Sequence, residues 1–152
     1  LEREGLAPER LVLELTEGIL LQPSPGVVDL LVALDRRGFV LAIDDFGTGC
    51  SSLAYLRDLP IRRIKIDRSF LRDAARPGRG QAIPAAIISM ARGLKMDLVA
   101  EGVEHPAQMA FLREQGCPAA QGYLFSRPLA LAEVAEFLGT WPERARQLAW
   151  GP

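Results

Sequence analysis

The sequence predicts a parallel α/β fold, and three observations carry that expectation. Five short apolar runs each finish in acidic, amide or lysine residues: LVLELTE (11–17), FVLAIDDFGTG (39–49), RRIKID (62–67), DLVAEGVE (97–104) and AAQGYLF (119–125). A stretch with helical apolar spacing follows each run. The polar chemistry therefore gathers at one rim, where catalytic groups of parallel α/β folds sit. The first strand is not followed by GxGxxG or a P-loop, which argues against a doubly wound nucleotide-binding sheet. Strand–helix units of roughly 30 residues fit about five times into the 152 residues of the chain. A complete eight-stranded barrel takes about 250. The expectation is about five βα units of a barrel.

Taken in order, residues 1–10 read as the tail of a helix, a stop at Gly5 and a loop. A strand at 11–16 precedes the loop of Pro23, Ser24, Pro25 and Gly26. A helix over about 26–37 sets Val27, Leu30, Leu31 and Leu34 on one face, with Gly38 as its stop. The second strand, 39–44, runs into the loop Asp45–Cys50. Ser51 or Ser52 can cap a short helix carrying Leu53, Leu56 and Leu59, which Pro60 ends. The third strand is 62–67. A polar loop at 72–80 leads to an apolar helix over about 82–95, where Pro84 belongs in the first turn. The fourth strand is 97–101, and the next helix runs from Pro106 to Gly116. A fifth strand over about 120–125 is followed by helices near 131–138 and 142–149, separated by Gly139.

Composition narrows the function. With 49% hydrophobic residues the chain can bury a core. A net charge of −1 argues against a broad DNA surface, which needs a basic face. No charge-poor run of about eighteen apolar residues indicates insertion of this segment into a membrane. Cys50 and Cys117 lack metal-ligand spacing and read as unpaired thiols of a cytoplasmic protein. His105 is the single histidine, and no nucleophile elbow accompanies it. Metal or acid–base chemistry therefore falls to carboxylates.

Side chains alternate along a strand. Val12, Glu14 and Thr16 share one face, as do Val40, Ala42 and Asp44. Arg63, Lys65 and Asp67 do the same, as do Val99 with Glu101 and Gln121 with Tyr123. Strands laid side by side bring Glu14, Asp44, Lys65, Glu101 and Gln121 to one rim. One lysine leaves these carboxylates with a negative excess, which divalent metal would remove. Oxygen-only ligands suit Mg²⁺ or Mn²⁺. If the backbone turns at Asp44–Asp45, the first carboxylate can bridge two metals and the second bind one. Two metals about 3.5–4 Å apart are a standard device for phosphodiester hydrolysis.

For any one acidic strand end, a solvated loop position or a helix cap is the competing explanation. Five at one parity, with a lysine and an amide among them, favour a site. Glu17 and Glu104 either complement helix N-termini or support the loops, and support is favoured. Gly47–Thr48–Gly49 reads as a mobile lid rather than a phosphate cradle. Phe46 reads as packed against helices. A barrel of this kind acting on another phosphate or on an enolisable substrate is a further alternative.

The motifs ELTE (14–17), DDFGTG (44–49), KIDRSF (65–70), AEGVE (100–104) and QGYLFSRPL (121–129) resemble, in order, those of the EAL domain family. These are bacterial phosphodiesterases that open cyclic di-GMP to linear pGpG. The resemblance runs from Leu11 to about Leu138. It implies a (β/α)8 TIM-type barrel and hydrolysis by a metal-activated water, with Mg²⁺ or Mn²⁺, two ions, at the C-terminal rim. Glu14 and Asp44 resemble ligands of the first metal, Asp44 and Asp45 those of the second. Lys65 resembles the lysine that holds the nucleophilic water and the phosphate. Glu101 resembles a general base or a ligand of metal-bound water. Gln121 resembles the amide on that water, Glu17 the anchor of the DDFGTG loop, and Glu104 a residue near the second metal and substrate. Arg127 and Pro128 are rim candidates.

The resemblance also implies a homodimer through the DDFGTG loop and the following helix, and an upstream sensory or GGDEF-type domain. It implies an EAL-type domain over 1–152 whose Glu-Ala-Leu motif and Asn ligand lie before Leu1. That expectation leaves room for a non-catalytic cyclic di-GMP receptor. Cys50 stands where the family usually has Tyr, so lid packing or the dimer contact is expected to differ.

Overall fold

The computed structural model describes residues 1–49, 53–74 and 78–148. Its centre is a five-stranded, all-parallel sheet of β1 (Val12–Thr16), β2 (Val40–Phe46), β3 (Arg63–Ile66), β4 (Asp97–Ala100) and β5 (Ala119–Ala120), in the order β1-β2-β3-β4-β5. That order equals chain order. A doubly wound sheet reverses direction at a switch point. An unreversed order with right-handed crossovers keeps every helix on one face, as in a barrel wall.

The helices are α1 (Pro25–Arg36), α2 (Leu53–Asp58), α3 (Arg68–Leu71), α4 (Arg79–Gly93), α5 (Pro106–Glu114) and α6 (Leu131–Gln147). Leu41, Ile43, Ile64, Ile66, Leu98 and Ala100 point from the sheet into the core and are almost wholly buried. They pack with Leu31 of α1, Leu56 of α2, Ile87 and Ile88 of α4, and Leu112 of α5. Phe46 joins this core as expected. Cys117 is a buried free thiol, and burial pushes its pKa up.

Several boundaries differ from expectation. The first ten residues form two 3-10 turns, Glu2–Glu4 and Pro8–Arg10, instead of a helix tail. The fifth strand stops at Ala120, because Gly122 has φ +156° and the chain turns through 122–125. Tyr123 therefore does not share a strand face with Gln121. Pro84 lies in the second turn of α4, not the first. Its ring is buried in the core, which offsets the single lost backbone bond. α6 runs unbroken through Gly139 and Pro142. Trp141 stacks on Phe137 and meets Phe125 edge-on, and that packing holds the helix across both residues. Cys50 and the capping serines Ser51 and Ser52 lie outside the described residues. No described helix is long and apolar enough to cross a membrane.

Candidate metal centre and active site

The face of the sheet opposite the helices carries the polar residues. Lys65, in the middle of the sheet on β3, is only 7% exposed. Its Nζ lies 2.8 Å from Glu14 Oε1 on β1, 2.9 Å from Asp44 Oδ1 on β2 and 2.7 Å from Glu101 Oε1 just past β4. Glu101 is held there because the ladder continues beyond the strand. Its N–H donates to Ile66 O at 3.1 Å, and the N–H of Gln121 donates to Ala100 O at 2.8 Å. Gln121 Nε2 then donates to Glu101 Oε1 at 2.7 Å. The expected convergence of Glu14, Asp44, Lys65, Glu101 and Gln121 is realised.

The Asp44–Asp45 pair is shaped by an irregularity in β2. Ile43 pairs with Ile64, yet Phe46 pairs with Ile66, so β2 holds one residue more than β3 across this step. Such a bulge re-aims side chains. Asp45 takes φ +52°, in the left-handed region. Strict alternation would send Asp45 to the face opposite Asp44; the bulge brings both to the rim. Carboxylate oxygens of Asp44, Asp45 and Glu101 lie within 4.8 Å of one another.

The electrostatics follow from this crowding. Burial works to lower the Lys65 pKa, but the bonds to Glu101, Glu14 and Asp44 outweigh it and hold the ammonium firmly charged. Burial raises Glu101; Lys65 opposes, while the charges of Asp44 and Glu14 add to the rise. Asp45 is raised by burial, then by the charges of Asp44 and Asp67. A single ammonium faces three carboxylates before Asp45 and Asp67 are added. Asp44 Oδ1 is buried without a well-aligned hydrogen-bond donor, although Lys65 Nζ is near. An all-carboxylate donor set with negative excess and an under-satisfied oxygen fits a hard divalent cation.

Glu17, buried in a 3-10 turn after β1, anchors the loop beyond β2. Its Oε2 accepts the N–H of Gly47 at 2.9 Å and of Gly49 at 3.0 Å. Gly47 has φ +98°, and a Cβ there would sit 2.8 Å from the Phe70 ring. The loop thus rests on α3 while hanging from Glu17. On the other side of the site, the N–H of Val103 donates to Gln121 O at 3.0 Å and that of Leu124 to Val103 O at 2.9 Å. A Cβ on Gly122 would collide with the Val103 backbone. Glycine lets the two loops bearing Glu101 and Gln121 lie flush.

Asp45, Glu101, Glu104, Gln121, Arg127 and Pro128 line a cavity of about 620 Å³. The Arg127 guanidinium stacks 4.7 Å above the Tyr123 ring at its edge. The same cavity includes Asp67, which sequence reasoning placed on the Lys65 face but gave no role. Its Oδ1 accepts from the N–H of Ser69, at 3.0 Å, and from the Ser69 hydroxyl, capping α3. Burial would raise Asp67, but the Ser69 bonds and a hydrogen bond with Asp45 leave it lowered. Its parity with Lys65 was the available signal.

The EAL domain family model matches residues 1–128. The chain belongs to the EAL domain family. It is 54% identical over 138 residues to the cyclic di-GMP phosphodiesterase NbdA of Pseudomonas aeruginosa, covering 91% of this chain and 18% of that protein. The bifunctional diguanylate cyclase/cyclic di-GMP phosphodiesterase MucR of the same organism is 43% identical over 132 residues, 87% of this chain and 19% of MucR. The chain thus spans less than a fifth of the length of these curated relatives. Among solved structures, the MucR phosphodiesterase in complex with c-di-GMP superposes with a TM-score of 0.82 at 41% identity, over 88% of this chain and 54% of that one. The EAL domain of Mycobacterium smegmatis DcpA gives 0.84 at 37%, over 91% and 62%. A manganese/cyclic di-GMP complex of Klebsiella pneumoniae BlrP1 gives 0.77 at 38%, over 84% and 33%. EAL domains have the TIM-barrel fold, and the sheet order agrees with the expected (β/α)8 type.

Proposed function

We propose that this chain is part of an EAL-type phosphodiesterase domain that hydrolyses cyclic di-GMP to linear pGpG. The observation that carries the proposal is the Lys65 ammonium ion-paired with Glu14, Asp44 and Glu101 at the rim of a parallel sheet. The similarity to NbdA and to the c-di-GMP complex of MucR supports the substrate. The domain assignment covers 1–152.

Glu14, Asp44 and Asp45 would hold Mg²⁺ or Mn²⁺, two ions. When bound, such ions neutralise phosphate charge and lower the pKa of a water molecule. The chain's own residues then divide the remaining work. Lys65 holds negative charge on the phosphate. Lys65 and Gln121 both donate to Glu101 Oε1, which leaves Oε2 to accept a proton or a water. Glu17 fixes the loop that follows Asp45 and the end of β2. Glu104, Arg127 and Pro128 line the path to the substrate.

A homodimer through the Asp44–Gly49 loop and α2 belongs to the same proposal, supported by the exposed Leu53 and Tyr55 on that helix. An attached sensory or GGDEF-type domain is supported by the greater length of the relatives and the bifunctional name of MucR. The proposal carries a cytoplasmic location with it.

The test is cyclic di-GMP hydrolysis with and without Mn²⁺, by these residues within their complete open reading frame and by the 152-residue chain beside it. Metal-dependent pGpG from the former is the expected result. Binding without turnover would replace the enzyme with a receptor, and neither would overturn the substrate.

A further inference from the structure

A second cleft adjoins the carboxylate cavity and has the opposite character. It has a volume of about 330 Å³ and is lined by Arg68, Arg72, Gly102, Glu104, His105 and Gln108. It shares Arg68, Gly102 and Glu104 with the larger cavity, so the two are continuous. Neither Arg68 nor Arg72 has an ion-pair partner among the described residues. Glu104 is the sole carboxylate in the lining, against two guanidinium groups and an imidazole.

The walls are held together by a buried amide. Gln108 Oε1 accepts the N–H of Glu104 at 2.8 Å and of His105 at 2.9 Å, while its Nε2 donates to Leu71 O at 2.9 Å. Gln108 is only 4% exposed, and its partners lie up to 37 residues away in sequence. This bridge ties the end of α3, where Arg72 follows Leu71, to the start of α5, where His105 is the N-cap. Arg68, Arg72 and His105 thereby line one space at the start of α5. Two arginines and a histidine supply the positive charge and the side-chain N–H donors that a phosphate group takes.

We propose that the Arg68–Arg72–His105 cleft is a phosphate-group subsite beside the carboxylate site. Its ligand is either the second phosphate of a dinucleotide lying in the carboxylate cavity or a free phosphate anion. The first source rests on the function proposed above; the subsite itself does not.

His105 is the only histidine in the chain, so its ring resonances report on this cleft without ambiguity. Inorganic phosphate is titrated into the full chain at fixed pH and ionic strength, with chloride as the control. A saturable His105 shift specific to phosphate is expected, weakened about tenfold or more in Arg72→Ala and partly restored in Arg72→Lys. The titration is repeated with cyclic di-GMP and Ca²⁺. A shift at dinucleotide concentrations where inorganic phosphate has no effect identifies the second phosphate as the ligand. A shift with inorganic phosphate alone identifies the free anion. No saturable shift with either, or the same shift in Arg72→Ala, overturns the subsite. Turnover of cyclic di-GMP without a shift would overturn the subsite and keep the enzyme. A phosphate shift without turnover would keep the subsite and remove the enzyme.

Discussion

The two faces of the sheet are built from alternate residues of the same strands, yet they obey opposite rules. Toward the helices, Ile43, Ile64, Ile66, Leu98 and Ala100 are packed almost free of water. Toward the rim, Glu14, Asp44, Lys65 and Glu101 are crowded into one ion-paired cluster. The apolar face gains stability with every atom buried. The polar face concentrates like charge, which opposes folding unless a cation compensates. Neighbours one residue apart, such as Ile64 and Lys65, therefore serve stability and chemistry separately.

The sharpest way to break this division is to substitute that pair. Lys65→Ala should lower turnover by about a thousandfold or more, as loss of a charge-stabilising donor does, while far-UV circular dichroism stays native. Ile64→Ala should instead cost about 2–5 kcal/mol in denaturant unfolding. A near-normal rate in Lys65→Ala would erase the distinction. Glu101→Gln comes next. It keeps the shape and removes the charge, and a fall of about a hundredfold or more in turnover is expected for a proton acceptor. A near-normal rate would take Glu101 out of the chemistry.

Glu17→Ala tests a residue that serves the polar face from within the core. It removes the acceptor of Gly47 and Gly49, so the loop that follows Asp45 should loosen. Turnover should fall about tenfold, an amount set by the loss of charged hydrogen bonds. Faster amide exchange at Gly47 and Gly49 should accompany the fall, and unchanged exchange would remove the anchor role.

The smallest effect concerns pH. Asp45 and Glu101 are both raised in the folded chain, from ordinary values of 3.8 and 4.5. Stability from such groups is present below those ordinary values and is lost as pH rises through the raised ones. Asp67, lowered, works in the opposite sense. A divalent cation should replace the missing protons on Asp45 and Glu101. Saturating Mn²⁺ should therefore raise Tm more at about pH 7.5 than at about pH 4.5; at a hundred times Kd the gain is about 2.7 kcal/mol. An equal gain at both pH values would place the ion elsewhere.

The alternation of apolar and polar residues in LVLELTE and RRIKID determined which side chains face the helices, because a strand has only two faces. Five such runs determined a parallel α/β wall, and the parity of Glu14, Asp44, Lys65, Glu101 and Gln121 determined that they meet. Glu17 was legible as a loop support, since it lies one turn past the same strand. The tertiary structure decided what alternation cannot express. The bulge in β2 carries Asp45 to the side of Asp44, because pairing with β3 absorbs an extra residue only there. The turn at Gly122 ends β5 early and removes Tyr123 from the strand face, because Val103 leaves no room for a Cβ. Aromatic packing on Trp141 carries α6 through Gly139 and Pro142, overriding two local signals for a break. Asp67 acquires its place beside Asp45 from how β2 and β3 pair. Local sequence specifies the period of an element, whereas close approach between elements distant in sequence decides where that period is broken.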